Sequence, residues 1–299
     1  MIKKLCLLGL CVVWPISDAY ADDKPQKTYE DCFSLPLEVL KSPPMGADWH
    51  TRLCSIGYNE YRTKDKEAAF AGYLSLAEEG YGLAQSYAAE MYEKGTGVEK
   101  DISKALFYYH KAAEQGVVAA QNNYGFIYFY GKHNIEKDRS KAIPWLQKAA
   151  EQGDSNSQTL LAEAYETGDG FAQDYAKAYE LYVVAAEKGH IFAQYRLGYL
   201  YYIGKGVEVD TVEAQNWFEL SAMQGVPGAQ YFMGMCYIES CKGVEDDMSA
   251  YKWFYIASRT NAETPATQWL QVLEGSLSAD QIEKAKAEGE AFLKAYARK

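Results

Sequence analysis

The hydrophobic and polar positions of this chain describe short helices that come in pairs. Between residues 104 and 137, apolar side chains fall three and four positions apart in two successive stripes. The first stripe consists of Ala105, Tyr108, Tyr109, Ala112 and Ala113, and the second of Ala120, Tyr124, Ile127 and Tyr128. Such spacing is typical of an amphipathic helix that buries one side. Gly116 lies between the stripes and suits a left-handed helix end, so the segment predicts a helical hairpin.

The hairpin pattern returns every 36 or 37 residues along most of the chain. Four columns keep the same phase: Gly80, Gly116, Gly153, Gly189 and Gly225; Gln85, Gln121, Gln158, Gln194 and Gln230; Tyr92, Tyr128, Tyr165, Tyr201 and Tyr237; Asp101, Asp138, Asp174, Asp210 and Asp246. A period of this length indicates a solenoid, in which each unit buries its apolar face against its neighbours. We therefore predict an all-α solenoid of antiparallel helix pairs, with the aspartates as helix starts.

Two recurring features suggest chemistry, but their repeat positions favour structural roles. Trp145, Trp217 and Trp253 lie on the stripe that the first helix buries, so we predict that they belong to the core. Glycine-x-glycine loops such as Gly204–Gly206 follow the second helix, with no preceding strand and no phosphate-loop lysine. They are predicted to be turns into the next repeat.

Residues 177–210 contain the most complete copy of the repeat, and this copy resembles a known family. It reads Lys-Ala at its start, continues with Ala-Gln-x-x-Leu-Gly-x-x-Tyr, and ends with Gly-x-Gly-Val-x-x-Asp. This string resembles the Sel1-like repeat, a relative of the tetratricopeptide repeat. The resemblance extends over residues 68–259, as five repeats and a sixth first helix. It implies a right-handed superhelical solenoid that serves as a protein-interaction scaffold, a role for which exported bacterial members are known.

The two ends of the chain are predicted to lie outside the repeats. Residues 1–21 combine two lysines, an apolar run too short to span a bilayer and a final Ala-Tyr-Ala, which indicates a cleaved signal peptide, with an uncleaved anchor as the alternative. Residues 22–67 are expected to form an N-terminal cap with a degenerate half-repeat. Residues 260–299 are expected to form a C-terminal capping helix, which a capping box at Ser278 and Gln281 begins. We expect export to the periplasm, or secretion, and no stable membrane insertion after cleavage.

Charge and cysteine content narrow the class of partner and the compartment. The formal net charge of −11 repels phosphate backbones and argues against nucleic-acid binding. The four cysteines beyond the signal peptide predict the disulfides Cys32–Cys54 and Cys236–Cys241. Free thiols or zinc are the alternatives, and zinc is disfavoured because the two pairs lie far apart along the chain. A Cys236–Cys241 bond requires the helix to end by Ser240.

The sequence contains no convincing catalytic set, cofactor motif or metal motif. Its four histidines are scattered, and we interpret them as surface or capping residues. Ser249 and Lys252 match the Ser-x-x-Lys motif of serine β-lactamases, but the Ser-Asp-Asn and Lys-Thr-Gly motifs of those enzymes are absent from the sequence. We therefore predict no catalysis. The resemblance leaves two alternatives open: binding or hydrolysis of β-lactam or cell-wall compounds, as proposed for cysteine-rich relatives, and a secreted host-interaction factor.

One face of the second helices departs from the repeat. In repeats one and three its columns are Ser86, Glu90 and Glu93, and Thr159, Glu163 and Glu166, as expected of a solvated face. In repeats four and five they are Tyr195, Tyr199, Tyr202, Tyr231, Met235 and Ile238. We predict that these six residues, here called the tyrosine face, bind a protein or peptide. The alternative is that a neighbouring repeat or the C-terminal helix covers them.

Overall fold

The computed structural model describes residue 35 and residues 46–243, 246–261 and 265–296. Within these ranges the chain forms fourteen α-helices and a 3₁₀ turn, without any strand, so the predicted all-α class is confirmed. The helices are α1 (Trp49–Thr63), α2 (Lys66–Glu78), α3 (Gly82–Lys94), α4 (Ile102–Glu114), α5 (Val118–Tyr130), α6 (Arg139–Glu151), α7 (Ser155–Thr167), α8 (Tyr175–Glu187), α9 (Ile191–Ile203), α10 (Thr211–Ala222), α11 (Pro227–Ile238), α12 (Asp247–Thr260), α13 (Ala266–Leu273) and α14 (Ala279–Tyr296). The predicted signal peptide lies outside the described residues.

The chain divides into two compact units, residues 1–157 and 158–299. In the first, α2 pairs with α3 and α4 with α5, while α3 packs on α4 and α5 on α6. In the second, α8 pairs with α9 and α10 with α11, while α9 packs on α10 and α11 on α12. The second helices α3, α5, α9 and α11 therefore each pack against the first helices before and after them. No helix among the described residues combines the length and apolar character that crossing a bilayer would take.

The aspartate column starts the first helices, as predicted. Each of Asp101, Asp138, Asp174, Asp210 and Asp246 has extended backbone angles, and its carboxylate accepts a hydrogen bond from the backbone N–H three residues later. For Asp210 the acceptor distance to the Glu213 nitrogen is 2.9 Å. This bond satisfies a backbone donor that the first turn of a helix leaves open. Local sequence therefore fixes where each first helix begins.

Gln194 of the glutamine column ties the second helix α9 to two first helices. The amide nitrogen of Gln194 donates to the carbonyl of Ala186, near the end of α8, at 3.2 Å. Its amide oxygen accepts a 3.0 Å bond from Gln224, just after α10. The same bond to the first helix is made by Gln85, Gln121 and Gln230, and all four glutamines are buried. Each of these carbonyls also accepts from the backbone N–H of the following glycine, such as Gly189 for Ala186, so the glutamine supplies a further bond from the next helix.

Small residues allow the second helices to approach the following first helix closely. A Cβ atom at Gly198 would lie 2.9 Å from the ring of Phe218 on α10, closer than packing permits. The aromatic rings buried at this contact form the column Tyr109, Tyr182, Phe218 and Phe254. The predicted tryptophan column is one position earlier, and only Trp253 of its members is fully buried. Trp145 and Trp217 are half-buried at the margin of the core.

The extra residue of repeat two lies in the loop after α5. His133 and Asn134 have positive φ angles of 57° and 62°, at the position where other repeats carry the second glycine of the loop. A Cβ atom at the equivalent Gly97 would lie 2.1 Å from the Lys66 carbonyl oxygen, so a larger residue cannot follow the usual path. The loop instead makes a 3₁₀ turn, and His133 Nε2 lies 2.8 Å from Glu93 Oε1.

The C-terminal region holds two helices where the sequence predicted one. The capping box at the start of α14 is confirmed, since Ser278 Oγ accepts from the Gln281 nitrogen at 3.3 Å and Gln281 Oε1 accepts from the Ser278 nitrogen at 2.9 Å. The short helix α13 was not predicted. It packs on α12 as a second helix packs on its first, and α14 also packs on α12.

Replacing Gln194 by leucine tests the glutamine column. The substitution roughly keeps side-chain volume but removes the buried amide that donates to the Ala186 carbonyl and accepts from Gln224. We expect the free energy of unfolding, measured by urea titration, to fall by about 2 kcal/mol. Gln147→Leu, at an exposed glutamine of α6, is the matched control and should change it by less than about 0.5 kcal/mol. Equal losses in the two variants would refute the assigned role.

Candidate functional site

The repeat-four half of the tyrosine face surrounds one phenylalanine of the next second helix. Tyr195, Tyr199 and Tyr202 project from α9, and their ring centroids lie 6.3, 5.5 and 5.3 Å from that of Phe232 on α11. Phe232 in turn stacks on the buried ring of Phe218 at 5.0 Å. The three tyrosines are half-buried. They are therefore packed along one edge and open to solvent along the other.

The repeat-five half of the face meets α13 in the same manner. Tyr231, Met235 and Ile238 are half-buried in one apolar cluster with Trp269 and Leu273 of α13. The indole nitrogen of Trp269 donates to the Tyr231 hydroxyl at 3.3 Å, and its ring stacks on Phe254 at 5.7 Å. Trp269 thus contacts aromatic rings of α11 and α12 in the way that Phe232 contacts rings of α9 and α10. The unpredicted helix α13 covers part of this half.

The columns of the tyrosine face mark where successive second helices meet. In repeat two, Asn122 donates to Asp154 and to Ser157 at 3.0 and 2.9 Å. In repeat three, the Thr159 hydroxyl lies 3.0 Å from the ring of His190 at the start of α9. The expectation of an ordinary solvated face is therefore wrong for Thr159, which is buried together with Glu166. The adjoining second helix removes part of this face from water in every repeat where these contacts are described.

A buried carboxylate fixes a cation inside the tyrosine face. Glu166 accepts from the Tyr182 hydroxyl at 2.9 Å and from Arg196 Nε at 3.0 Å, and Arg196 Nη2 also bonds to Glu166 Oε1. Burial lowers the pKa of Arg196, but the adjacent Tyr182 and Glu166 raise it by more, so the guanidinium stays charged. Its carbon lies 5.2 Å from the ring centroid of Tyr199. The face therefore combines tyrosine rings with a positioned arginine.

The far end of the face adjoins the C-terminal cysteine pair. The Tyr202 hydroxyl donates to Glu239 Oε2 at 2.5 Å, and burial followed by this bond raises the pKa of Tyr202. Helix α11 ends at Ile238, and Ser240 turns the chain back with a φ of 55°. The Cys241 nitrogen then donates to the Cys236 carbonyl at 3.0 Å, and both side chains are buried.

The geometric condition for a Cys236–Cys241 bond is therefore met, although the structure holds both residues as free thiols. A hydrogen bond between the two sulfur atoms raises the pKa of Cys236 and lowers that of Cys241. In the N-terminal pair, Cys54 is disulfide-bonded and buried. Cys32 lies outside the described residues, so its pairing with Cys54 stays a prediction.

The candidate catalytic residues make structural contacts. Ser249 Oγ donates to Asp246 Oδ2 at 2.6 Å as part of the cap of α12. Lys252 Nζ lies 3.6 Å from Glu288 of α14. Nδ1 of His190 accepts from the Ala193 nitrogen at 3.2 Å and so caps α9. Within the described ranges, no three His, Cys, Asp or Glu side chains are grouped to hold a metal ion.

The repeat pattern of the sequence did not predict an exposed apolar face on α10. Val212, Leu220 and Met223, here called the α10 face, are 45, 49 and 48% exposed and lie on one side of the helix. The corresponding residues of α4 are Ser103, Lys111 and Glu114, and those of α6 are Ser140, Lys148 and Glu151. The sequence shows part of this change before Gly225, where Ala-Met-Gln-Gly replaces the usual Ala-Glu-x-Gly.

Two curated proteins show partial similarity to the chain. The rat protein described as "Protein sel-1 homolog 2" is 31% identical over 129 residues, which are 42% of this chain and 19% of that protein. An exopolysaccharide production negative regulator from Rhizobium leguminosarum bv. viciae is 34% identical over 74 residues, 25% of this chain and 28% of that protein. The chain thus matches less than a third of the length of either relative.

Solved structures match over a larger share of the chain. The structure of c5321, described as a protective antigen of uropathogenic Escherichia coli with an SLR fold, gives a TM-score of 0.78 at 30% identity. The match covers 87% of this chain and 57% of c5321. A Sel1 repeat protein from Oxalobacter formigenes gives a TM-score of 0.64 at 30% identity, covering 81% of this chain and 95% of that protein.

The family model described as Sel1 repeat matches the chain five times. The matched residues are 82–117, 118–154, 155–190, 191–226 and 227–259. Each match combines a second helix with the first helix that follows it. These matches cover more than half of the 299 residues, and the chain therefore belongs to the Sel1 repeat family.

Proposed function

We propose that this protein is an exported, non-catalytic scaffold that binds another protein or peptide through the tyrosine face. Sel1 repeats are protein-interaction modules, and the family supports a binding role. The observation that carries the proposal is the replacement of polar columns by Tyr195, Tyr199 and Tyr202 in a helix whose backbone otherwise follows the repeat. These rings stay partly exposed after packing against Phe232.

The composition of the face fits a protein partner. Phe192, 55% exposed, precedes Tyr195 by one turn and extends the same side of α9. Arg196, held by Glu166, adds a charged donor among the rings. Tyrosine, phenylalanine and arginine are enriched in protein interfaces because they bring large contact areas and directed hydrogen bonds. The packed neighbours also hold the rings in place, which lowers the entropy lost on binding.

Export is supported by the sequence of residues 1–21 and by the cysteines. The three described cysteines, Cys54, Cys236 and Cys241, are buried, which suits structural disulfides in an oxidising compartment. The similar Escherichia coli protein is described as a protective antigen, which supports a location outside the cytoplasm for this chain too. We propose the periplasm as the compartment.

A substitution on α9 tests the tyrosine face. Phe192→Asn combined with Tyr199→Glu restores the residues that repeat three has at these positions, Asn156 and Glu163. We expect the partner recovered from periplasmic extract by pull-down and quantitative mass spectrometry to fall about tenfold or more, because hot-spot aromatics dominate binding energy.

The control is Val272→Asn, at an exposed apolar residue of α13. This variant should recover the same partner in the same amount as the unchanged protein. Both variants should keep the helical circular dichroism spectrum. Undiminished recovery by the α9 variant would contradict the proposal.

The Cys236–Cys241 bond is tested on protein purified from the periplasm. We expect neither residue to react with iodoacetamide in denaturant until a reductant is added, as peptide mass spectrometry would show. Reduction of the Cys236–Cys241 bond should lower the free energy of unfolding by about 2 kcal/mol, which is the loop-closure value for a ring of this size. The variant with both residues changed to serine, which keeps Cys32 and Cys54, should show no loss at this site on reduction. Alkylation of both thiols without reductant would refute the bond.

A further inference from the structure

The open side of helix α9 carries Phe192, Tyr195, Arg196 and Tyr199, here called the α9 strip, and its one cation is neutralised from within. Glu166 lies beside Arg196, and its side chain is only 7% exposed. Arg196 donates to it through Nε and Nη2, so one positive and one negative charge are paired inside the strip. A charged partner residue placed here would lose its hydration without meeting an unpaired opposite charge. The strip therefore suits an uncharged segment.

The charges at the C-terminal end of α9 also balance. Lys205 Nζ donates to the Tyr175 hydroxyl at 3.1 Å, and Glu239 accepts from the Tyr202 hydroxyl at 2.5 Å. These two residues add one charge of each sign. The end of the strip therefore gives no net attraction for an acidic or a basic partner.

The polar groups that stay open on the strip are hydrogen-bond donors. An arginine has five N–H groups, and Glu166 occupies two of those of Arg196. The Arg196 side chain is 31% exposed, which leaves part of it open to a partner. The Tyr199 hydroxyl is bonded to no residue that the structure describes. These groups need acceptors from the partner.

A proline-rich segment brings acceptors of this kind. Proline has no backbone N–H, and a polyproline II helix presents carbonyl groups that are not bonded within the helix. An ordinary extended peptide would also bring backbone N–H groups, which would lose their hydration against aromatic rings. A partner α-helix has its carbonyl groups bonded internally. The open donors therefore favour a polyproline II helix over the other two forms.

The spacing of the rings fits the same ligand. Phe192 and Tyr199 are seven residues apart, which places them on nearly the same side of α9 and about 10.5 Å apart along its axis. Three residues of a polyproline II helix advance by about 9.3 Å. Proline rings three positions apart can therefore contact the two aromatic rings in turn, with Arg196 between them. Aromatic side chains line the grooves that recognise proline-rich segments in other proteins.

The rings are held in place before a ligand arrives. Tyr195 packs on Gly228 of α11, where an added Cβ atom would lie 2.8 Å from the tyrosine side chain. The ring centroid of Tyr199 is 5.5 Å from that of Phe232 and 5.2 Å from the guanidinium carbon of Arg196. A polyproline II helix is likewise ordered before it binds. Little conformational entropy is then lost on either side.

The repeat itself does not require the α9 strip. Helices α7 and α9 both have thirteen residues. At the positions of Phe192, Arg196 and Tyr199, helix α7 has Asn156, Leu160 and Glu163. A second helix of the same length therefore forms without these three side chains.

We infer that the α9 strip binds an uncharged, proline-rich segment of a partner protein in the polyproline II conformation. Proline rings contact Phe192 and Tyr199, and carbonyl groups of the segment accept from Arg196 and from the Tyr199 hydroxyl. The inference rests on the proposed scaffold function and names the chemistry of the partner that the tyrosine face receives.

The test measures binding of a fluorescein-labelled proline peptide of about ten residues, roughly three turns of polyproline II, to the full mature protein. Fluorescence anisotropy is the readout. A glycine–serine peptide of the same length brings backbone N–H groups without proline rings, and an alanine-rich helical peptide brings apolar contact without open carbonyl groups.

Two variants separate hydrogen bonding from simple apolar contact. Tyr199→Phe removes one hydroxyl and keeps the ring, and Tyr296→Phe, at an exposed tyrosine of α14, is its matched control. Arg196→Lys keeps a positive charge beside Glu166 but removes the planar set of N–H donors. Circular dichroism and the urea midpoint should be the same for Tyr199→Phe and its control.

We expect the proline peptide to bind with saturation below about 1 mM, and the two comparison peptides to bind at least about tenfold more weakly. Tyr199→Phe should weaken binding of the proline peptide by about threefold to tenfold, the effect of one net hydrogen bond. Arg196→Lys should weaken it by a similar factor. The Tyr296→Phe variant should match the unchanged protein within about twofold.

Absence of saturable binding of the proline peptide would overturn the inference, and so would equal or tighter binding of either comparison peptide. Undiminished binding by Tyr199→Phe would do the same, because the hydroxyl would then not donate to the ligand. If the peptide results fail while the variant with Phe192→Asn and Tyr199→Glu still loses its partner from periplasmic extract, the inference is wrong and the proposed scaffold function stands.

Discussion

The buried carbonyl groups at the end of each first helix are the constraint on which the repeats depend. A helix end in the interior needs hydrogen-bond donors from outside the helix. Gln85, Gln121, Gln194 and Gln230 provide the donor from the next helix, and Gln115, Gln152 and Gln224 then bond to three of them from the following repeat. Gln85, Gln121 and Gln194 therefore each connect one hairpin to the first helix of the following repeat.

Features that depend on neighbouring residues in the chain could be predicted from the sequence. The caps at Asp210 and Ser278 need only a few adjacent residues, so the pattern of side chains located them correctly. Helix α13 was not predicted because residues 266–273 do not match the repeat pattern. Its assignment as a second helix follows from one contact, the stacking of Trp269 on Phe254, which no local pattern shows.

The exposure of the tyrosine face could not be predicted from one hairpin. Its columns lie opposite the first-helix contact of their own repeat, and the sequence therefore indicated solvent. Phe232 of the next second helix covers one edge of Tyr195 and Tyr199 instead. That coverage is a contact between successive repeats, which the pattern of a single hairpin does not show. Burial of Glu166 beside Tyr182 and Arg196 has the same origin, and it makes a fixed ion pair from what the sequence suggested was a surface carboxylate.

A residue that departs from the repeat indicates a function only when packing contacts do not explain the departure. Tyr231 departs from its column, but the bond from Trp269 explains part of that departure. Leu220 departs as well, and nothing in the described chain covers it in the way that α14 covers Ile256. Leu220 and Ile256 stand at the same position of the repeat. Comparing them therefore separates residues needed for folding from residues available for binding. By that criterion the open edge of α9 is the surface that suits the proposed partner, and the hydrogen bond from Tyr202 to Glu239 connects its end to the cysteine loop after α11.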